Sequence, residues 1–346
     1  MISPYLDIKE INEVYAIYLD AEYKILSKVS KRLKRGIKGF GWTEKKAREV
    51  MALRVEIEQV LNGTIAVSAE KMDKAMTTAY KMGYNSANID LGIKTVLMAD
   101  IKIPAKVKNL IMELNEKTVM TGQTILRTTT DGYRSIIAES STTVLTGVET
   151  RLKATQSALN KFADSGITSF VDKAGRRWEM ASYAEMATRT ATGRAAIQGH
   201  VDRQLENGRE FVLISSHGNC CPLCAPFEGE VLSLSGSLDH QSLDDAMGAG
   251  LFHPNCKHSM TGYIEGLTKP EKVVYKPKDY DNTQEQRYNE RNIRKYKRRD
   301  VAALSDKEKQ ASQLKVRQWQ SKQRDLLKDT DMRRKYNRES ITATRC

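Results

Sequence analysis

Two short stretches, SHGNCCPLCAPF at residues 216–227 and LFHPNCKH at residues 251–258, decide the architecture of the middle of this chain. Each stretch is a turn that carries thiol or imidazole groups beside a proline. Two such turns can close a tetrahedral set of ligands around one ion, and zinc suits sulfur and nitrogen donors. The spacing therefore predicts a structural Zn²⁺ site in a small module, with the candidate ligands Cys221, Cys224, His253, Cys256 and His258.

The identity of the fourth ligand stays open at the level of sequence. His253 and His258 both qualify, and Cys220 or His217 can substitute. The surplus of donors favours a closed, structural site, since a catalytic zinc keeps one position for water. Two alternatives are weaker. One is buried thiols without a metal, and the other is a redox-active C-x2-C pair, whose usual context has no distant H-x2-C element.

The first part of the chain has the pattern of long helices. Between Pro4 and Pro222 only Pro104 interrupts it, and proline breaks helix interiors more strongly than any other residue. Apolar residues recur there at steps of three, four and seven, which is the helical period. Within this part, Asn62-Gly63 predicts the end of one helix and Ser68 the cap of the next.

The pattern changes near residue 166. Alternation around Asp172-Lys-Ala-Gly175 predicts a hairpin, and the capping box Ser182-Tyr-Ala-Glu185 predicts the start of a helix. Two apolar runs, at 209–215 and 229–234, predict buried strands. We therefore expect a mostly α-helical protein with long N-terminal helices, a small α+β zinc-stabilised module and a basic helical C-terminal extension. The predicted domains are 1–166, 167–265 and 266–346.

The C-terminal extension carries most of the net charge. The chain has a formal charge of +13, and residues 271–346 alone hold 22 Lys and Arg against 12 Asp and Glu. Ser305-Asp-Lys-Glu308 is a second capping box, which favours a helix after it. A basic helix of this kind is either solvated, bound to DNA phosphates, or bound to an acidic protein surface. The candidate nucleic-acid-binding residues are Arg291, Arg294, Lys295, Lys297, Arg298 and Arg299.

Composition excludes several classes of protein. No run of about 18 apolar residues is present, so we expect no membrane span. The first residues, MISPYLDIKEINEV, contain early acidic groups and no apolar core, so we expect no secretory signal. The five cysteines should therefore stay reduced, which makes a disulfide framework improbable and metal binding the better explanation.

Three blocks occur in order along the chain: WEMASYAEMATRT at 178–190, SSHGNCCPLCAP at 215–226 and GLFHPNCKH at 250–258. This combination resembles the minor capsid protein 2 family of tailed phages and, more distantly, the Mu F-like head morphogenesis proteins. The C-x2-C and H-P-x-C-[RK]-[CH] elements of those families coincide with the five candidate metal ligands. The close match covers residues 178–265, and Cys220 departs from the small residue expected before the first motif.

The resemblance implies a virion component present in few copies, bound to the portal on the head interior, with other capsid proteins as neighbours. It also implies assembly in the host cytoplasm and no enzymatic activity. A contact with packaged double-stranded DNA, or help with its ejection, is part of the same expectation.

Two other functional classes remain as alternatives. One is a metal-dependent nuclease that uses His253, Asn255 and His258, although the same histidines are needed as ligands and no separate general base is evident. The other is a cellular nucleic-acid-binding regulator, for which no helix-turn-helix or RNA-binding signature is present.

Overall fold

The fold is described from a computed structural model of the 346-residue chain. Long helices account for most of it, as the low proline content predicts. The described residues are 2, 8–165, 169–172, 175–217, 220–236, 239–254, 256, 258–270, 273, 277–330 and 332–343. The first five helices are α1 (Lys9–Lys34), α2 (Trp42–Arg48), α3 (Val50–Asp90), α4 (Ala105–Leu145) and α5 (Arg151–Ser165).

Helix α3 corrects one of the sequence predictions. It runs without a break through Asn62-Gly63 and through Ser68, where we expected an end and a new cap. The hydroxyl of Ser68 donates to the Ile65 carbonyl at 3.0 Å and lies 3.2 Å from the buried Tyr18 hydroxyl. Packing therefore satisfies this serine inside the helix, and tertiary contacts override the local stop signal.

The middle of the chain contains the predicted hairpin and a small sheet. The hairpin pairs β1 (Phe170–Val171) with β2 (Arg177–Trp178). After α6 (Met180–Glu206) come β3 (Phe211–Ile214), β4 (Val231–Ser233), α7 (Leu243–Gly248) and β5 (Met260–Gly262). The three strands form an antiparallel sheet in the order β4-β3-β5. The two predicted strands are confirmed, and β5 is an addition that the sequence pattern did not reveal.

The start of α6 differs from the prediction. The helix begins at Met180, so Ser182 lies inside its first turn and does not cap it. The carboxylate of Glu22 accepts a hydrogen bond from the Ala181 backbone N–H at 3.0 Å and serves the helix N-terminus instead. The helix ends where Gly208 predicts, in a left-handed conformation with φ of 66°.

The C-terminal part is helical, as expected. It consists of α8 (Pro277–Val301), α9 (Asp306–Lys328) and α10 (Tyr336–Glu339). The Ser305 hydroxyl accepts from the Glu308 backbone N–H at 3.4 Å, which confirms Ser305 as the N-cap of α9. Ile293 and Ala302 are fully buried, so this part supplies core to the fold in addition to charge.

Two compact units make up the fold, and neither is a contiguous piece of the chain. The first comprises residues 1–14, 69–116 and 185–283, and the second comprises residues 15–68, 117–184 and 284–346. The first contains the three-stranded sheet, and the second contains all three tryptophans, Trp42, Trp178 and Trp319. Independent folding of the three predicted segments stays a prediction. Within the described part of the chain, no helix is both long and apolar enough to cross a membrane.

Candidate metal centre

The predicted ligands lie on two turns of the first unit. In the first turn, the Cys224 backbone N–H donates to the Cys221 carbonyl at 3.1 Å, and a short 3-10 turn over Ala225–Phe227 follows. In the second turn, the Cys256 N–H donates to the His253 carbonyl at 2.9 Å. The second turn leads directly into β5, and Leu213 on β3 pairs with Thr261 on that strand. The sheet thus holds both turns in place.

All five predicted ligands converge. Cys221, Cys224 and His253 form one group in which the donor atoms lie within 4.8 Å of one another, and Cys224, Cys256 and His258 form a second. Cys224 belongs to both groups and its sulfur lies 3.6 Å from that of Cys256. Two overlapping triads that share a thiol are the arrangement expected around one ion bound by two turns.

The hydrogen bonds of the two histidines show which ring nitrogen faces the thiols. His253 places Nδ1 2.8 Å from the Pro254 carbonyl, so Nδ1 donates there and Nε2 keeps its lone pair 2.9 Å from the Cys221 sulfur. His258 places Nε2 3.0 Å from the Glu228 carboxylate, which leaves Nδ1 facing Cys256 at 3.3 Å. In the neutral form that binds metals, each imidazole would present a lone pair toward the thiols, and the fourth-ligand question stays open between them.

Glu228 is a site residue that the sequence did not reveal. It is 7% exposed and also accepts the His217 backbone N–H at 2.7 Å. A carboxylate that holds the far nitrogen of an imidazole fixes the ring's tautomer and orientation, and this is a common outer partner of metal-binding histidines. Its place four residues after the C-x2-C motif was the only available signal, and that spacing alone carries no specific meaning.

Electrostatics within the cluster favour thiolate formation at Cys256. The hydrogen bond with Cys224 lowers the pKa of Cys256 to about 4, and the bonds with His258 add to this against the opposing effect of burial. The same bond to Cys256, together with burial, raises the pKa of Cys224. Burial lowers the pKa of His258, but the bonds to Cys256 and Glu228 outweigh it and the net shift is upward. A divalent cation bound here would displace the protons that these thiols and His258 share.

Cys220 and His217, the two possible substitutes for the fourth ligand, have different surroundings. Cys220 is buried and lies outside the three groups of converging donors among the described residues, and burial raises the pKa of its thiol to about 12. Its position outside these groups is what separates it from the five predicted ligands. His217 stacks on His258 with ring centroids 4.2 Å apart and joins it and Glu228 in the third group.

The cluster fits a closed zinc site by donor chemistry. Three thiols and two imidazoles offer more than the four donors that a structural zinc needs. The contacts from Cys256 to His258 and on to Glu228 also resemble a catalytic nucleophile, its base and an orienting acid. Cys256 is 4% exposed and His258 1% exposed, however, whereas a nucleophile must be accessible to its substrate. Asn255, needed for the nuclease alternative, lies outside the described residues.

The basic residues of α8 have a different setting. Glu179 pairs with Arg298 at 2.7 Å and with Arg294 at 3.6 Å, and both arginines are buried. Arg299 makes a two-pronged pair with Asp164, and Lys295 approaches the same carboxylate at 3.3 Å.

Lys297 and Arg291 are the other two candidate nucleic-acid-binding residues of α8. Lys297 donates to the Glu339 carbonyl at 2.6 Å. Arg291 is exposed and lies over the Tyr288 ring at 6.0 Å. Most of the charge that the sequence offers to DNA is thus already engaged inside the second unit.

Comparison with known proteins gives a consistent result. The family model described as phage minor capsid protein 2 matches residues 3–328. A relative named structural protein, from Lactococcus phage LL-H, is 28% identical over 239 residues, and the aligned region covers 62% of this chain and 62% of the relative. The chain thus spans less than two thirds of that relative's length.

A second relative, also named structural protein, comes from Lactococcus phage mv4 and is 35% identical over 107 residues, or 27% of this chain and 82% of the relative. No solved structure matches. The family match extends far beyond the cysteine- and histidine-bearing turns, and it includes the long N-terminal helices and most of the basic C-terminal part. The chain belongs to the phage minor capsid protein 2 family.

Proposed function

We propose that this chain is a minor structural protein of a tailed-phage head, bound to the portal on the head interior, and that a zinc ion holds its small sheet module together. The observation that carries the proposal is the converging set of thiols and imidazoles, of which Cys224, Cys256 and His258 are buried, in a protein of a capsid family. A closed site stabilises a fold, whereas catalysis needs an open position.

The residues that would hold the ion are Cys221, Cys224 and Cys256, with His253 or His258 as the fourth ligand. Zinc bound there would supply a cross-link between the two turns that flank the sheet. Because metal binding and folding are coupled in small sites, the module's stability would depend on the ion. Virion localisation suits this design, since a small core needs reinforcement in a long-lived particle.

Particle analysis tests the head assignment. Purified virions should contain the protein in few copies, protected from added protease until the heads are opened. Heads assembled without portal protein should lack it. A protein that is digested in intact particles, or that is incorporated equally without portal, would overturn the interior, portal-bound assignment.

Elemental analysis tests the zinc assignment separately. The purified chain should contain about one zinc per molecule, and its thiols should react slowly until a chelator is added. A nicking assay with added Zn²⁺ or Mg²⁺ should show no DNA cleavage. Metal-free protein with rapidly titrated thiols would contradict the site without affecting the head assignment.

Contact with packaged DNA is the finer part of the proposal. Within the set predicted from sequence, Arg291 is exposed, so it is the member that we expect to reach a phosphate. Binding of this kind is independent of sequence and falls steeply with salt.

A further inference from the structure

A lysine-lined cleft lies in the second unit, beside the C-terminal end of α8. Its volume is about 610 Å³, and its walls are the C-terminal half of α1 and the corner where α8 gives way to α9. Two aspartates, Asp300 and Asp306, lie on the wall formed by the corner. Five ammonium groups line the cleft: Lys24, Lys28, Lys31, Lys34 and Lys309.

The lysines of α1 share one helix face. Their spacing is four, three and three residues, which brings side chains one above another along a helix. Like charges at these spacings destabilise a helix by about 0.2–0.5 kcal/mol per pair. The stripe therefore costs folding stability, and an external anion would remove that cost.

The helix dipole explains part of this stripe but not all of it. Lys31 and Lys34 lie in the last turn of α1, where the dipole favours cations. Lys24 lies well before that turn, so the dipole does not reach it. Lys309 lies in the first turn of α9, where the positive end of the dipole disfavours a cation. Lys28 also precedes the last turn, so three of the five lysines are placed without support from the dipole of their own helix.

Carboxylates match part of this charge but not all of it, since the wall of the cleft carries Asp300 and Asp306 against five lysines. Glu56 pairs with Lys28 at 3.1 Å. The side chains of Lys24, Lys31, Lys34 and Lys309 are exposed. This is the reverse of α8, where buried or half-buried carboxylates already engage the cations.

We propose that this cleft binds the phosphodiester backbone of DNA. Lysines at successive helical turns suit a row of phosphates, and the hydroxyls of Ser27 and Tyr23 on the same wall can donate to phosphate oxygens. The concave surface binds a backbone rather than base edges, so the contact is independent of sequence. The inference rests on the proposed place of the protein in the head, where DNA is the abundant polyanion.

A charge-matched pair of variants tests the site. The triple variant Lys24→Gln, Lys31→Gln, Lys34→Gln removes three charges from the cleft. The control Lys102→Gln, Lys106→Gln, Lys108→Gln removes three exposed lysines elsewhere. Both are purified as full chains, checked by circular dichroism, and titrated with a short mixed-sequence duplex between about 50 and 200 mM salt.

The cleft variant should lose at least tenfold in affinity at about 100 mM salt, and its log–log salt slope should fall by about two to three. The control should keep the wild-type slope. Equal losses in both variants, or no DNA binding by the wild-type chain, would overturn the inference. Stronger binding of poly-L-glutamate than of DNA would also overturn it and make the cleft a site for an acidic protein. Head incorporation of the wild-type chain, scored separately, tests the proposed function whatever the outcome here.

Discussion

The turns around Cys224 and the helix α8 both concentrate reactive or charged side chains, yet they are built in opposite ways. In the turns, five donors converge and contact mainly one another, as in the Cys221–His253 and Cys256–His258 pairs. In α8, the cations are matched by Glu179 and Asp164 within the same unit. The first arrangement could hold an added ion, whereas in the second the cations already have carboxylate partners.

The difference shows that a high local density of metal-ligating or charged residues in a sequence does not by itself indicate function. Donors that converge without matching partners favour an external ligand. Buried cations that converge on partly buried carboxylates favour a structural role, because moving the cations to an external anion would leave Glu179 unpaired. The following predictions test this contrast, beginning with the largest expected effect.

Cys224→Ser should abolish stoichiometric metal binding, since this sulfur belongs to both triads. Loss of the ion should unfold the sheet locally, and amide exchange at Val212 and Leu213 on β3 should become much faster. The control is Cys220→Ser, which removes a buried thiol outside the triads and should keep one metal per chain. Metal binding that survives Cys224→Ser and is lost in Cys220→Ser would make Cys220 the ligand in place of Cys224.

Glu179→Gln should destabilise the second unit by about 3–5 kcal/mol, because it leaves the buried Arg294 and Arg298 without their counter-charge. Tryptophan fluorescence in urea measures this directly, since all three tryptophans belong to that unit. Glu139→Gln is the control. It breaks an exposed pair with Lys161 and should cost less than about 1 kcal/mol. Equal effects would contradict a special role for the α8 pairs.

Acid should weaken the second unit through the same carboxylate. Burial opposes ionisation of Glu179, but Arg298 and Arg294 outweigh it and lower its pKa from 4.5 to about 2. Its contribution is therefore complete above about pH 4.5 and is lost as the pH falls toward 2, by roughly 3 kcal/mol in all. The urea midpoint of unfolding, measured by fluorescence, should fall as the pH is lowered over this range. In Glu179→Gln the midpoint should depend less on pH. A midpoint independent of pH would show that the pair contributes little.

Glu228→Gln should weaken metal affinity by about 10- to 100-fold without changing stoichiometry, because the carboxylate orients His258 rather than binding the ion. Competition with a chromophoric chelator gives the affinity, and the spectrum of the cobalt form should keep its thiolate bands. Glu210→Gln, an exposed change beside β3, is the matched control. Unchanged affinity in Glu228→Gln would favour His253 as the fourth ligand.

Arg291→Gln should change stability by less than about 0.5 kcal/mol, since its side chain is exposed. If it touches a phosphate, the salt slope of DNA binding falls by about one. A large loss of stability would place it with its paired neighbours on α8.

Sequence reasoning succeeded where the signal is local or chemically restrictive. The two cysteine- and histidine-bearing turns, the helix stop at Gly208 and the cap at Ser305 were identified correctly. It failed at Ser68, whose hydroxyl is satisfied by a tertiary contact with Tyr18. It could not find Glu228 or the pairing of Arg298 with Glu179, which lie 30 and 119 residues from their partners. Such contacts exist only once the chain has folded.

The interleaved order of the two units has a consequence for synthesis of the protein. Ile2 bridges to Met260, and the first unit needs segments as far as residue 283. At about 5–20 residues per second, roughly 15–60 seconds separate the translation of these partners. During that interval Ile2 has no Met260 to pair with, so the first unit cannot be complete before residue 283 has been translated. Chaperone demand should therefore follow ribosome speed over this interval.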